Sequence, residues 1–205
     1  MSTQPARNAP AFLDRIVGWV LLVPGAIALV AAIVLMVEKV RVLEDPTHVP
    51  ACTIDAVLAC GSVLSSDQAE AFGFPNPLIG IAGFGVLVAF GLVLVTGGRL
   101  TRAVWLTAQA GATFAVVFVH WLMFQSVYRI EALCPYCMVV WVMTISIFVY
   151  LTLANVTSGR LPIPARLEGP VARLTGLHGV VLTVWLLLVA AVVAQGFWDY
   201  WMDKL

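Results

Sequence analysis

Five long stretches free of charged residues divide the chain. They run over residues 16–37, 71–98, 103–128, 132–159 and 174–198, and the next longest, 56–66, is only 11 residues. A helix rising about 1.5 Å per residue needs about 20 apolar residues to cross a hydrocarbon core about 30 Å thick. The five stretches hold 22, 28, 26, 28 and 25 residues, so each can span. The pattern predicts an all-α integral membrane protein, a single membrane domain over 1–205, with spans at about 16–37, 78–96, 103–125, 136–154 and 177–198. Pro135 suits a first helical position, where its missing N–H would have had no partner, and so marks the start of the fourth span. Residues 38–77 form a loop with turn formers at Pro46, Pro50, Gly61, Gly73, Pro75 and Pro77. Within it, VLSSDQAEAF reads as a short amphipathic lid helix, with Ser65 as N-cap and Gln68 three residues on as in a capping box. Residues 155–177, with Pro162, Pro164 and Pro170, read as a linker.

Composition agrees with that pattern. The chain is 61% apolar and 11% charged, whereas a soluble domain is about a quarter charged. A lipid bilayer is therefore its surroundings, and no nucleic-acid partner is expected. Dividing the loops alternately puts Arg7, Arg15, Arg99, Arg102, Arg160, Arg166 and Arg173 on the N-terminal side with Asp14 and Glu168, a net +5. The other side holds Lys39, Arg41, Arg129 and Lys204 with nine acidic residues, a net −5. Positive charge stays inside, so the N-terminus is expected in the cytoplasm of a cell-membrane protein and the C-terminus outside. GAIA at 25–28 loosely meets the signal-peptidase rule, but nine mostly apolar residues follow it, more than a cleaved signal core needs.

All four cysteines, Cys52, Cys60, Cys134 and Cys137, then fall on the outer side. Thiols outside the cytoplasm pair and stay paired, and four of them permit three pairings. Cys134 and Cys137 enclose only Pro135 and Tyr136. A disulfide across so short a loop restrains little chain entropy and is a poor staple. As a redox pair in a first helical turn it is well built, because the helix N-terminus stabilises a thiolate. Cys137 is expected to face the apolar bundle and Cys134 the aqueous loop. Electrons from a water-soluble dithiol would then reach an acceptor dissolved in the bilayer, a membrane quinone. Zinc held by four thiolates is the weaker alternative, since Cys52 and Cys60 lack knuckle spacing and no histidine follows His48 in either cysteine segment. No metal is expected.

CTIDAVLACGSVLSS, the following FGFPNPLIGI and the CPYC that opens a later span resemble the vitamin K epoxide reductase family, particularly its bacterial members, over roughly residues 20–150. The resemblance implies a four-helix bundle around a quinone of menaquinone, ubiquinone or phylloquinone type, capped by the loop, with a fifth helix outside. It implies that Cys52 exchanges with a partner protein, that Cys60 passes electrons to Cys134, and that Cys137 lies nearest the ring. Ser66 matches a serine beside the quinone site and Asn76 an asparagine that bonds a quinone carbonyl, although either residue can equally cap or turn the loop. Trp141 stands where vertebrate relatives carry tyrosine, and an indole donates a hydrogen bond but accepts none. Many bacterial relatives continue into a thioredoxin-like domain, whereas this sequence ends at Leu205, so the expected partner is a separate thioredoxin-like (DsbA-like) protein. The implied activity is quinone-dependent oxidation of that partner in support of disulfide formation, with vitamin K reduction as the reverse use of the same cysteines.

Other polar features weigh less. His120 lies inside the third span and reads as a neutral histidine bonded within the bundle, with Gln125 and Tyr128 as candidate partners. Arg129 and Glu131 read as a surface ion pair. Trp19, Trp105, Trp185, Trp198 and Trp201 read as interfacial anchors. A non-catalytic scaffold with structural disulfides is the rival outside enzymology; a transporter would need more mid-membrane charge than His120.

Overall fold

The computed structural model describes residues 9–202, so Arg7, Asp203, Lys204 and Leu205 lie outside the described part. Eight α-helices follow in order: α1 (Ala9–Glu44), α2 (Cys60–Leu64), α3 (Pro77–Val95), α4 (Arg102–Gln125), α5 (Pro135–Thr157), α6 (Ala165–Gly176), α7 (His178–Gly196) and α8 (Trp198–Met202). A 3-10 turn covers Asp67–Glu70, and a π-helical turn, Ser126–Ile130, prolongs α4. Among the described residues, five helices are long and apolar enough to cross a membrane. The first runs well past the uncharged stretch, carrying Glu38 and Lys39 on its last turns.

α1 is central, packing along both α3 and α5, while α4 packs on α5. Val17, Leu21 and Ala28 of α1 meet Phe84 of α3 and Ile147 and Leu151 of α5 in the main core. Apolar burial cannot drive helices together in lipid, so close backbone approach does that work. At Gly91 of α3 an added Cβ would lie 2.6 Å from Leu22 N and 2.8 Å from Gly18 O of α1, both immovable backbone atoms. α7 stands outside this bundle, largely exposed along its length.

Arg160, just beyond α5, ties the end of the bundle away from the cysteines. Its Nη2 donates to both Asp14 carboxylate oxygens at 2.9 and 2.8 Å, its guanidinium lies 4.0 Å from the Trp105 ring centroid, and its carbonyl accepts from Arg102 at 3.2 and 3.0 Å. Above it, Asn155 Nδ2 donates to Gln109 Oε1 at 3.0 Å, and Gln109 Nε2 donates to Thr152 at 2.9 Å, joining α4 to α5 through buried amides.

Several polar expectations change. Trp105 is 2% exposed and belongs to the core, not to the interface, because Arg160 covers it. The Trp185 indole donates to His120 Nε2 at 3.0 Å. An indole cannot accept, so Nε2 is the bare nitrogen and Nδ1–H donates to Val116 O at 2.7 Å. Both ring nitrogens are engaged, Nε2 in docking α7 and Nδ1 on the carbonyl of its own helix, and neither Gln125 nor Tyr128 is the partner. Trp19 and Trp198 are half or more exposed, as anchors are. Arg129 and Glu131 do not pair among the described residues; Glu131 instead takes a left-handed backbone conformation that turns the chain into the CPYC segment. The stretch read as a linker holds α6, with Pro170 inside it.

Gly91→Ala should therefore destabilise the protein by about 1–3 kcal/mol, the usual cost of overpacking, measured as a fall in unfolding temperature in detergent. Gly85→Ala, where the added Cβ meets nothing within 4 Å, should leave it unchanged or slightly raised.

Candidate active site

The 38–77 loop reaches the start of α5 through a fragment of parallel pairing. Leu133 N donates to Val57 O at 2.7 Å and Ala59 N donates to Leu133 O at 3.0 Å. Asp55 sets up this pairing by accepting from the backbone N–H groups of Val57 and Leu58 at 3.0 and 2.9 Å, and its other oxygen accepts from Tyr200 of α8 at 2.5 Å. The bridge pairs Leu58 with Leu133, so the residues that follow it on the two segments, Cys60 at the start of α2 and Cys134 before α5, emerge close together, and their sulfurs lie 3.1 Å apart.

Cys52 and Cys60 form a disulfide, while Cys134 and Cys137 are free thiols. Sγ atoms of Cys52, Cys60 and Cys134 all lie within 4.8 Å of one another, a disulfide facing a thiol. Cys52 is 8% exposed, whereas Cys60 and Cys134 are sealed at 0% and 1%. Cys134 therefore does not face water, as its place before the helix suggested; the paired loop roofs it. Cys134 is the N-cap of α5, with Pro135 at its first position. The neighbouring Cys137 thiol first, and the backbone N–H groups of Cys137 and Tyr136 with it, hold the Cys134 thiol below its ordinary range against the opposing effect of burial.

Cys137 opens onto a cavity of about 500 Å³ between the α1–α3 pair and the α4–α5 pair. That size suits a cofactor or drug-sized ligand. Its walls are almost entirely apolar, with Leu87 and Phe90 from α3 and Phe114 and Phe118 from α4. Ser66, Asn76 and Trp141 also line it. Ser66, however, spends its hydroxyl hydrogen on Val63 O at 2.7 Å. Asn76 donates to Gln68 O at 2.7 Å and accepts from Ala71 N at 3.2 Å, which ties the loop down and leaves one amide hydrogen over.

The lid is not the expected amphipathic helix. Ser65 closes α2 as its C-cap, and only the four-residue 3-10 turn Asp67–Glu70 follows, without a side-chain cap. Lys39 holds it instead: its Nζ, on a side chain 7% exposed, donates to Leu64 O at 2.7 Å and pairs with Glu70 at 2.9 Å.

One wall residue escaped sequence reasoning. The Thr144 hydroxyl is buried with no partner among the described residues, although an orphaned polar group in an apolar wall is costly. Its spacing was the available signal, since 137, 141 and 144 fall on one helical stripe. An apolar chamber with a thiol on its wall and an unpaired hydroxyl deeper in fits a flat, mostly apolar ring carrying polar oxygens.

The sequence model of the vitamin K epoxide reductase family matches residues 19–152. The chain belongs to that family. No individual curated protein matches it. The matched segment runs from α1 to α5 and contains all four cysteines, so the disulfide, the two thiols and the cavity all lie within the family's own part of the chain, as a redox-active membrane protein requires. α6 to α8 lie outside it, yet Tyr200 of α8 reaches back to the redox loop.

Removing the Cys137 thiol by Cys137→Ala should raise the Cys134 pKa, because the largest stabiliser of its thiolate is lost. Thiolate absorbance in the ultraviolet, titrated with Cys52–Cys60 kept oxidised, should show its inflection at higher pH in the variant than in the wild type, so that the thiolate forms later as pH rises.

Proposed function

We propose that the protein is a quinone-dependent thiol oxidase of the cell membrane that re-oxidises a separate thioredoxin-like protein at the outer face. The observation that carries this reading is the 3.1 Å approach of Cys60 to Cys134 directly above the cavity that Cys137 lines.

The partner's thiolate attacks Cys52, the more exposed sulfur of the disulfide, and Cys60 leaves as thiolate. The partner's second thiol resolves the mixed disulfide, so the partner leaves oxidised and Cys52 and Cys60 hold two electrons. Cys60 thiolate then attacks a Cys134–Cys137 disulfide at Cys134, expelling Cys137, and Cys52 closes back on Cys60. Cys52–Cys60 oxidised beside free Cys134 and Cys137 is the arrangement that follows this internal transfer. A bound quinone supplies the two-electron sink that restores the inner disulfide. Trp141, Thr144 and the remaining Asn76 amide hydrogen are the donors available to its oxygens, and the apolar walls keep water from the thiols. Ser66 and Asn76 also keep the loop closed over that chamber.

Purified protein mixed with a quinone and a reduced thioredoxin-like protein should consume the quinone, followed by its absorbance. Cys137→Ser should lower that rate at least about a hundredfold, as loss of a reacting nucleophile does, while Cys52–Cys60 still exchanges with the partner; a scaffold would show no quinone loss in any form. Thr144→Val should raise the KM for quinone about two- to tenfold, the worth of about 0.5–1.5 kcal/mol for one hydrogen bond, without lowering the unfolding temperature.

A further inference from the structure

The two most exposed large apolar side chains among the described residues are Ile54 at 71% and Val49 at 69%. Both exceed every lipid-facing residue of the spans, yet neither lies in a span. A hydrogen bond from Thr53 N to Pro50 O at 2.9 Å closes a turn that holds Cys52, so Val49 enters and Ile54 leaves it on either side of that sulfur. Ala51 and Ala56 are exposed beside them. Four apolar residues exposed together within eight positions of one reactive sulfur form a cluster rather than scattered single side chains, and an apolar cluster with a polar rim marks a contact site.

The rim is acidic. Glu44 and Asp45 are exposed where α1 ends and the loop begins. The nearby cations are already engaged, Lys39 with Glu70 and Arg41 with Glu38, each at 2.9 Å.

We propose that Val49, Ala51, Ile54 and Ala56 form the docking surface for the soluble protein dithiol, a protein whose own reactive cysteine sits in an apolar surface with basic groups around it. The inference rests on the thiol-oxidase reading and adds what the substrate must look like. Cys60 is sealed, so the incoming thiolate has one point of entry, Cys52, and must close to about 2 Å of its sulfur as the Cys52–Cys60 bond breaks. A folded protein that brings a sulfur so near lays its surroundings over residues 49–56. A small dithiol covers nothing. Apolar contact at the centre of such a patch supplies affinity, and opposite charge at the rim supplies encounter rate.

The test compares kcat/KM for a reduced, basic thioredoxin-type protein with that for dithiothreitol, using the full chain in detergent with quinone, in wild type, Val49→Asp and Ile54→Ser. Expressing the result as the ratio of the two substrates cancels any general loss of activity. The ratio should fall about tenfold in Val49→Asp and severalfold in Ile54→Ser, and the wild-type rate with the protein substrate should drop with added salt while that with dithiothreitol holds. An unchanged ratio in both variants, or a protein rate indifferent to salt, would overturn the docking surface and leave the oxidase standing. Failure of the wild type to oxidise either dithiol would remove the oxidase reading and the surface with it.

Discussion

The chemistry depends on two backbone hydrogen bonds, those that join Leu133 to Val57 and Ala59. They turn two segments separated by more than seventy residues into neighbours in parallel register, and register decides which side chains meet. Slip the pairing by one residue and the loop shifts by about 3.3 Å along Leu133, which would carry Cys60 out of reach of Cys134. The bridge is short, and its stability comes from what surrounds it: Asp55 organises the incoming turn, Tyr200 holds Asp55, and Leu133 is fully buried in the cluster that receives α7 and α8.

The sulfurs differ in what they face. The outer disulfide has one slightly exposed and one sealed atom, the next thiol is buried under the loop, and the last faces an apolar chamber. On the proposed reading a reductant enters at the first and a lipid-soluble oxidant meets the last. This ordering separates water from the bilayer without any moving helix, and it places the thiolate-stabilising N-terminus of α5 at the step between them.

Much of the fold was legible because lipid imposes a coarse rule, length without charge, and the five spans obey it. The position of the CPYC pair at the head of a span was legible too, because Pro135 marks a first helical position. What was not legible depends on partners distant in sequence. Ser65 looked like an N-cap but ends α2, because the chain had already turned helical at Cys60. Lys39 looked like loop and is the end of a span, its charge neutralised by a carbonyl and by Glu70. Trp105 and Trp185 looked like interfacial anchors until Arg160 and His120 claimed them. Thr144 gave only its position on the stripe of Cys137 and Trp141.

Arg160 grips Asp14, Trp105 and Arg102 at once, so three helices share a single knot at the end remote from the sulfurs. Sliding α5 there would break the ion pair to α1 and both the ring and the carbonyl contact to α4 together. The opposite rim is fastened by separate single tethers, Lys39, Asn76 and Tyr200 among them, which can let go one by one. The two ends of the bundle are thus fastened in different ways: one shared knot at the base, and at the mouth a row of independent stitches.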